Sequence, residues 1–191
     1  MGTKFEKVEV PAGPVVCVPD AYPDSRGWFS EIFHAQRYWN EGGIKSVFVQ
    51  DNRSRSSKGV LRGLHYQLRK PQAKLVSCTL GAIWDVAVDI RRGSPHYGRW
   101  FGVELSAENR KQLYIPEGFA HGFCVLSDFA EIMYKCSDFY DPKDDRGVLW
   151  SDPDIAVAWP VADPVLSPKD EVRKTLSQMG ADELPEYPAE P

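Results

Sequence analysis

Four polar islands interrupt the apolar patterning of this 191-residue chain, and each carries side chains able to hold or move a proton. The first is VLRGLHYQ (60–67), where Arg62, His65 and Gln67 sit inside what otherwise reads as a buried strand. Histidine titrates near neutrality, so one held in an apolar wall is a candidate for proton transfer. The second, IPEGFAHGFCVL (115–126), is apolar apart from a few positions that include Pro116, Gly118 and His121. The third, EIMYKCSDFYDPKDDRG (131–147), carries Tyr134 and Tyr140, and the fourth, LSPKD (166–170), ends in Lys169 and Asp170. A base, a carboxylate and a phenol are the parts of a general acid–base catalyst. Each also has a plain structural reading: a satisfied core histidine, rim tyrosines, and Asp170 closing a helix start three residues after a Ser167 cap. Asp170 is not expected to do both jobs.

These residues need elements to carry them. Short runs rich in Val, Ile, Phe, Trp and Tyr, such as GPVVCV, KLVSCTL, AIWDVAVDI and RWFGVEL, recur between Gly, Pro, Asp and Ser clusters such as PDSRG, RSSKG and RRGSPHYG. That pattern predicts an all-β fold, and a double-sheet jelly roll is the natural closure because it pairs most strand edges. Helix is sparse: a short one in AQRYWNEGG, and a longer one in SPKDEVRKTLSQMG with Ser167 as cap, Pro168 at the first turn and Gly180 as stop. Residues 1–180 are expected to form a single domain and the acidic, proline-rich 181–191 a mobile tail. Strict strand alternation would separate Arg62 from His65, so a bulge at Gly63 is expected to re-aim one of them.

The net charge of −4 excludes a general nucleic-acid or anionic-membrane binder, which needs a basic field over much of its surface. No stretch reaches the apolar length of a membrane span and the N-terminus lacks signal-peptide order, so a cytoplasmic protein is expected. The four cysteines stand singly within apolar runs, as small buried hydrophobes do.

P-x-G-x-x-H at 116–121 and G-x-H at 63–65 resemble the two halves of the cupin signature. A metal-binding cupin gathers about three histidines and a carboxylate. Here Gln67 stands where a second histidine is expected, and Lys74 would oppose a dication. Over most of its length the chain resembles the dTDP-4-dehydrorhamnose 3,5-epimerase family, through DSRGWFSE, VQDN, KGVLRGLHYQ, AKLV, DVAVDIR, LSAENRKQLYIPEGFAHGF, YKCSDFYDPKDDRG, WSDPDIAVAWP and LSPKD in order.

That resemblance implies a cupin-type jelly roll without metal or other cofactor, acting on a dTDP-linked 4-keto-6-deoxyhexose whose ketone acidifies the hydrogens at C3 and C5. It implies His65 as base, Asp170 as partner of that imidazole, and Tyr134 as acid on the opposite face. It places Arg26, Glu31, Gln50, Asp51, Asn52, Arg62, Lys74, His121, Asp145 and Lys169 on substrate-binding positions, and Tyr140 against the thymine ring. Lys74 or Arg62 would hold the enolate oxygen. It further implies a homodimer with exchanged N-terminal strands, in which Arg26 and Glu31 serve the partner's site. The chain departs from the family pattern at Asp145, where glutamate is common, at Phe139, where a second tyrosine is common, and at Ala73, a usual glycine. Two rival classes are a metal-dependent cupin enzyme, disfavoured by Gln67 and Lys74, and a non-catalytic sugar-nucleotide binding module. A single-carbon epimerase is a third reading, within the same family.

Overall fold

The computed structural model describes residues 2–188. In chain order the strands are β1 (Thr3–Lys7), β2 (Val15–Pro19), β3 (Tyr22–Asp24), β4 (Gly27–Phe29), β5 (Gln50–Ser57), β6 (Leu61–Tyr66), β7 (Lys74–Leu80), β8 (Ala82–Asp89), β9 (Trp100–Ser106), β10 (Gln112–Ile115), β11 (Phe119–Val125), β12 (Phe129–Cys136) and β13 (Arg146–Gly147). Helix α1 (Ala35–Asn40) lies between β4 and β5, and α2 (Pro168–Glu171) follows β13. Six strands form one sheet in the order β1-β2-β10-β7-β12-β5, and five form a second in the order β13-β6-β11-β8-β9. Strand pairing is antiparallel throughout, and β3–β4 stands apart as a hairpin. This is the all-β double-sheet jelly roll that the strand-and-turn pattern predicts, of the cupin type that the motifs at 63–65 and 116–121 suggest.

The alternation of side chains along each strand builds three apolar layers. Val16, Val76, Ile83, Ala87, Leu105, Leu113, Phe123 and Ile132 point between the sheets and form the central core. The outer face of the five-stranded sheet carries Leu64, Tyr66, Val86 and Val88, covered by the chain after β13 through Val148, Ile155, Leu176 and Leu184. On the outer face of the six-stranded sheet, Val15, Cys17 and Leu75 are covered by α1 and its flanks through Tyr38 and Ile44. Strand β11, buried along its whole length, is the spine of the second sheet. All four cysteines are buried free thiols.

Three local expectations are corrected. RSSKG was expected as a turn, but β5 continues through Ser57 and the chain reverses only at Lys58 and Gly59. Its inner face, Asn52 and Ser54 among it, is polar because it lines a cavity, and that polarity hides the strand from an apolar-pattern reading. The predicted helix over SPKDEVRKTLSQMG is one turn, α2, followed after a break by a 3₁₀ turn at Leu176–Gln178. Asp152 competes for the backbone there, accepting the Leu176 N–H at 2.5 Å, and draws the chain inward to bury Leu176. The tail is the third. Residues 181–188 pack on the body through buried Leu184, the Tyr66 hydroxyl donates to the Glu183 carbonyl (2.6 Å), and Arg91 lies between the rings of Phe119 and Tyr187 at 4.5 and 4.8 Å. Two apolar anchors, Leu184 and Tyr187, outweigh the acidic composition; residues 189–191 lie outside the described chain.

The bulge expected at Gly63 is present. His65 pairs with His121 and Arg62 with Phe123, so β6 spends three steps where β11 spends two. The extra residue turns Arg62 and His65 to the same side, while Leu64 and Tyr66 face outward. Only glycine fits at 63, because φ is +136° and a Cβ would lie 2.4 Å from the Gly122 Cα. Replacing Gly63 with Ala is expected to destabilise the protein by more than about 2 kcal/mol, as strained φ and a backbone clash combine. A urea-unfolding midpoint within error of wild type would contradict this.

Candidate active site

Between the sheets lies a cavity of about 400 Å³, lined by Arg62, His65, Lys74, His121, Tyr134 and Asp170 together with apolar side chains such as Phe123 and Ile132. Its walls come from both sheets. His65 on β6 and His121 on β11 belong to the five-stranded sheet, Lys74 on β7 and Tyr134 on β12 to the six-stranded one. Imidazole and phenol therefore approach from opposite sides.

His65 Nε2 lies 2.6 Å from Asp170 Oδ1, a contact between residues 105 apart in sequence. Burial pushes the Asp170 carboxyl up, but the His65 hydrogen bond and charge, with the Ser167 hydroxyl, more than offset it and hold it below the ordinary aspartate value. An ionised carboxylate only accepts, so His65 Nε2 carries a hydrogen and Nδ1 is left as the basic nitrogen. Asp170 also serves the α2 start: the Ser167 hydroxyl accepts the Asp170 N–H (3.3 Å) and donates to Oδ2 (2.9 Å). The expectation that it does one job only is corrected, since each carboxylate oxygen takes a different partner.

Burial lowers Lys74 from the ordinary lysine value, and neighbouring acidic groups, Asp85 among them, oppose that shift. Burial likewise pushes the Tyr134 phenol up, which keeps it protonated and able to donate, while the Arg62 charge pulls it back part of the way. Arg62 is steadied by its Nε bond to the Ser56 hydroxyl (3.1 Å). His121 Nε2 lies 2.8 Å from Asp85 Oδ1, and the carboxylate is fully buried.

An adjoining pocket of about 240 Å³ shares His65, Lys74 and Tyr134 with the cavity and adds Gln50, Asn52, Gln67, Tyr140 and Asp145. Tyr140 is 52% exposed at its mouth and donates its N–H to Gln50 Oε1 (3.0 Å). Gln67 holds the loop that presents it: its amide donates to the carbonyls of Lys70 and Phe139, and its oxygen accepts the Asp141 N–H at 2.8 Å. Asp145 meets Lys169 at 3.2 Å and Arg173 at 3.5 Å, placing Lys169 on the pocket's edge.

Three expected residues lie elsewhere. Asp51 points to the outer face of the six-stranded sheet and pairs with Lys135 at 3.0 Å, because alternation along β5 gives the pocket to its neighbours Gln50 and Asn52. Arg26, on the projecting β3–β4 hairpin, bonds Asp24, and Glu31 pairs with Arg37; neither lines its own chain's cavity. Sequence reasoning missed Asp85 and the loop-holding role of Gln67. The signal for Asp85 was a carboxylate on the same strand face as Ile83 and Ala87. No group of three or more His, Cys, Asp or Glu that would hold a metal ion occurs among the described residues.

A jelly roll that sets a carboxylate-backed imidazole against a partly buried phenol across its cavity defines a cupin-type acid–base site. The dTDP-4-dehydrorhamnose 3,5-epimerase family model matches residues 9–178, and the chain belongs to that family. A dTDP-4-dehydrorhamnose 3,5-epimerase of Shigella flexneri is 55% identical over 86% of this chain and 91% of its own. A crystal structure of a dTDP-6-deoxy-D-glucose-3,5-epimerase from Legionella pneumophila Philadelphia 1, in complex with dTDP-4-keto-L-rhamnose, superposes with a TM-score of 0.94. It is 49% identical and the match covers 98% of this chain and 100% of that one. A dTDP-4-dehydrorhamnose 3-epimerase of Streptomyces niveus is 42% identical over 88% of this chain and 83% of its own.

The depressed Asp170 carboxyl carries a stability signature. A group whose folded pKa lies below its unfolded value stabilises above the unfolded pKa, about 3.9 for aspartate, and loses that contribution as pH falls through the folded one. Wild-type protein is thus expected to lose stability relative to Asp170→Asn as pH drops below about 4. Parallel melting curves for the two proteins across that range would show that the bond to His65 does not hold the proton off.

Proposed function

We propose that the protein epimerises C3 and C5 of dTDP-4-keto-6-deoxy-D-glucose, giving dTDP-4-keto-L-rhamnose, with His65 as base and Tyr134 as acid. The observation that carries this reading is the placement of the two groups on facing sheets of one cavity, with His65 Nε2 tied to Asp170 at 2.6 Å. Inversion at carbon needs removal of a proton from one face of the ring and return of a proton to the other. His65 Nδ1 takes the hydrogen next to the C4 ketone, and the electron pair moves onto the ketone oxygen as an enolate. The resulting imidazolium stays paired with Asp170. Lys74, with Arg62, supplies positive charge to the enolate oxygen in a partly buried cavity, where such charge acts more strongly than in open solvent. Tyr134 then gives its phenolic proton to the carbon from the opposite side, the Arg62 charge moderates the phenolate left behind, and solvent takes the proton from His65 and returns one to Tyr134 before the second carbon inverts.

The adjoining pocket takes the nucleotide. Tyr140 offers an aromatic face for the thymine, and Gln50, Asn52 and Asp145 offer polar partners around it. Arg26 and Glu31 are assigned to a homodimer partner's site, reached by the β3–β4 hairpin. Exposed Trp28 and Phe29 on that hairpin support this, since large apolar side chains so placed favour burial against a second chain. No helix among the described residues is long and apolar enough to cross a membrane, and the nucleotide-sugar substrate fits a cytoplasmic location.

A single-carbon epimerase is the second reading, favoured by the 42% identity to the Streptomyces niveus 3-epimerase. Mass analysis of the sugar nucleotide after incubation in heavy water separates the two. Two non-exchangeable deuterons, at C3 and C5, are expected, whereas one would assign the chain to the single-carbon class. His65→Asn should cut turnover by about a thousandfold while nucleotide binding is kept; near-normal turnover would remove His65 from the base role. Tyr140→Ala should weaken dTDP affinity by about tenfold, as expected for losing one stacked base. Unchanged affinity would refute the stacking.

A further inference from the structure

Asp85 sits in the middle of β8, on the face that Ile83 and Ala87 turn into the central core, and it is fully buried. A carboxylate there is costly unless both oxygens are used. One is used: Oδ1 meets His121 Nε2 at 2.8 Å, while Oδ2 has no hydrogen-bond partner among the described residues. A buried charge left half-satisfied adds little stability that an apolar side chain would not supply better, so its role is sought in what it does to His121.

We propose that Asp85 is a positioning residue that makes His121 a fixed hydrogen-bond acceptor in the cavity wall, where it holds the C2 hydroxyl of the sugar. The proposal rests on the epimerase reading above. An ionised carboxylate accepts only, so the Nε2 facing it carries the hydrogen, and a neutral imidazole then keeps its lone pair on Nδ1. The neutral form is favoured: burial disfavours the cation, Lys74 and His65 oppose a further positive charge in the same cavity, and the Asp85 charge acts the other way. His121 lines the cavity and Asp85 does not, so the part of the ring not engaged by Asp85 is the part presented to a ligand.

An acceptor in the wall selects what it meets. It cannot bond the C4 ketone, the ring oxygen or the enolate, all of which are acceptors themselves. It needs a donor, and the sugar offers hydroxyls at C2 and C3. The C3 hydroxyl changes sides of the ring when C3 inverts, so a rigid acceptor would hold it in only one of the two configurations. The C2 hydroxyl keeps its configuration through both inversions. Lys74 and Arg62 thus hold the oxygen whose charge changes, and His121 holds the hydroxyl that does not.

The test pairs Asp85→Asn with removal of the hydroxyl. An asparagine of the same size can offer either its oxygen or its amide hydrogens, so the tautomer is no longer dictated. In ¹⁵N NMR of wild-type enzyme, His121 is expected as the Nε2–H tautomer, with the Nδ1–H form appearing in Asp85→Asn. Wild type should prefer the natural substrate over its 2-deoxy analogue in kcat/KM by about 10- to 100-fold, the range for leaving one buried acceptor unpaired, and Asp85→Asn should lose most of that preference. An Nδ1–H tautomer in wild type, equal use of the two substrates by wild type, or a preference untouched by the substitution would each overturn the proposal. The two wild-type measurements decide it even if the variant does not fold. Failure of wild type to incorporate any deuterium would instead overturn the epimerase reading, while the His121 tautomer would still report on Asp85.

Discussion

Side chains alternate along a strand with a period of two, and everything in the cavity depends on one place where that rule is broken. Without the extra residue at Gly63, Arg62 and His65 would face opposite sides of β6, one of them in the outer apolar layer among Val86 and Ile90. The break is possible because two glycine backbones, Gly63 and Gly122, meet where neither has a side chain. The same contact sets His65 directly opposite His121 on the neighbouring strand. Packing and chemistry are thus fixed by one local approach of two chains.

Around that point the cavity alternates charge with neutrality. Two imidazoles each lean on a carboxylate, Asp170 at the mouth of the C-terminal segment and Asp85 inside the barrel. Lys74 stands among them as a cation whose charge is disfavoured by burial. Two unit charges 4 Å apart interact by about 1 kcal/mol in water and about 4 kcal/mol at the effective dielectric of a partly buried site. A negative charge that develops on a ligand beside Lys74 is therefore stabilised far more inside this cavity than it would be in solvent.

Much of this was legible in the residue pattern, and the failures have physical causes. The jelly roll followed from short apolar runs and turn clusters, and the bulge from a glycine placed where two polar residues needed the same face. Strand β5 was cut short because its inner face is polar where it lines the cavity, so the apolar half of the alternation is missing. The resemblance placed Asp51 with Gln50 and Asn52 on substrate-binding positions, yet neighbours on a strand face opposite sides and Asp51 pairs with Lys135 instead. Asp85 was passed over because the surrounding AIWDVAVDI reads as a strand with or without it. The conflict over Asp170 arose from counting a carboxylate as a single acceptor, when its two oxygens bond His65 and Ser167 separately. The C-terminal segment was misjudged from composition, which averages over Leu184 and Tyr187 and loses both anchors.

The bond from His65 to Asp170 joins strand β6 to a segment that leaves the ribosome 105 residues later. Synthesis runs from the N-terminus, so the strands that build the barrel are made before the carboxylate that bonds His65. The C-terminal layer that covers the outer face of the five-stranded sheet is also what brings Asp170 to His65 at the cavity wall. A chain that ends before residue 170 lacks the carboxylate partner of His65 and also the Leu176 and Leu184 side chains that help cover Leu64, Val86 and Val88, so one segment supplies both the contact and the cover.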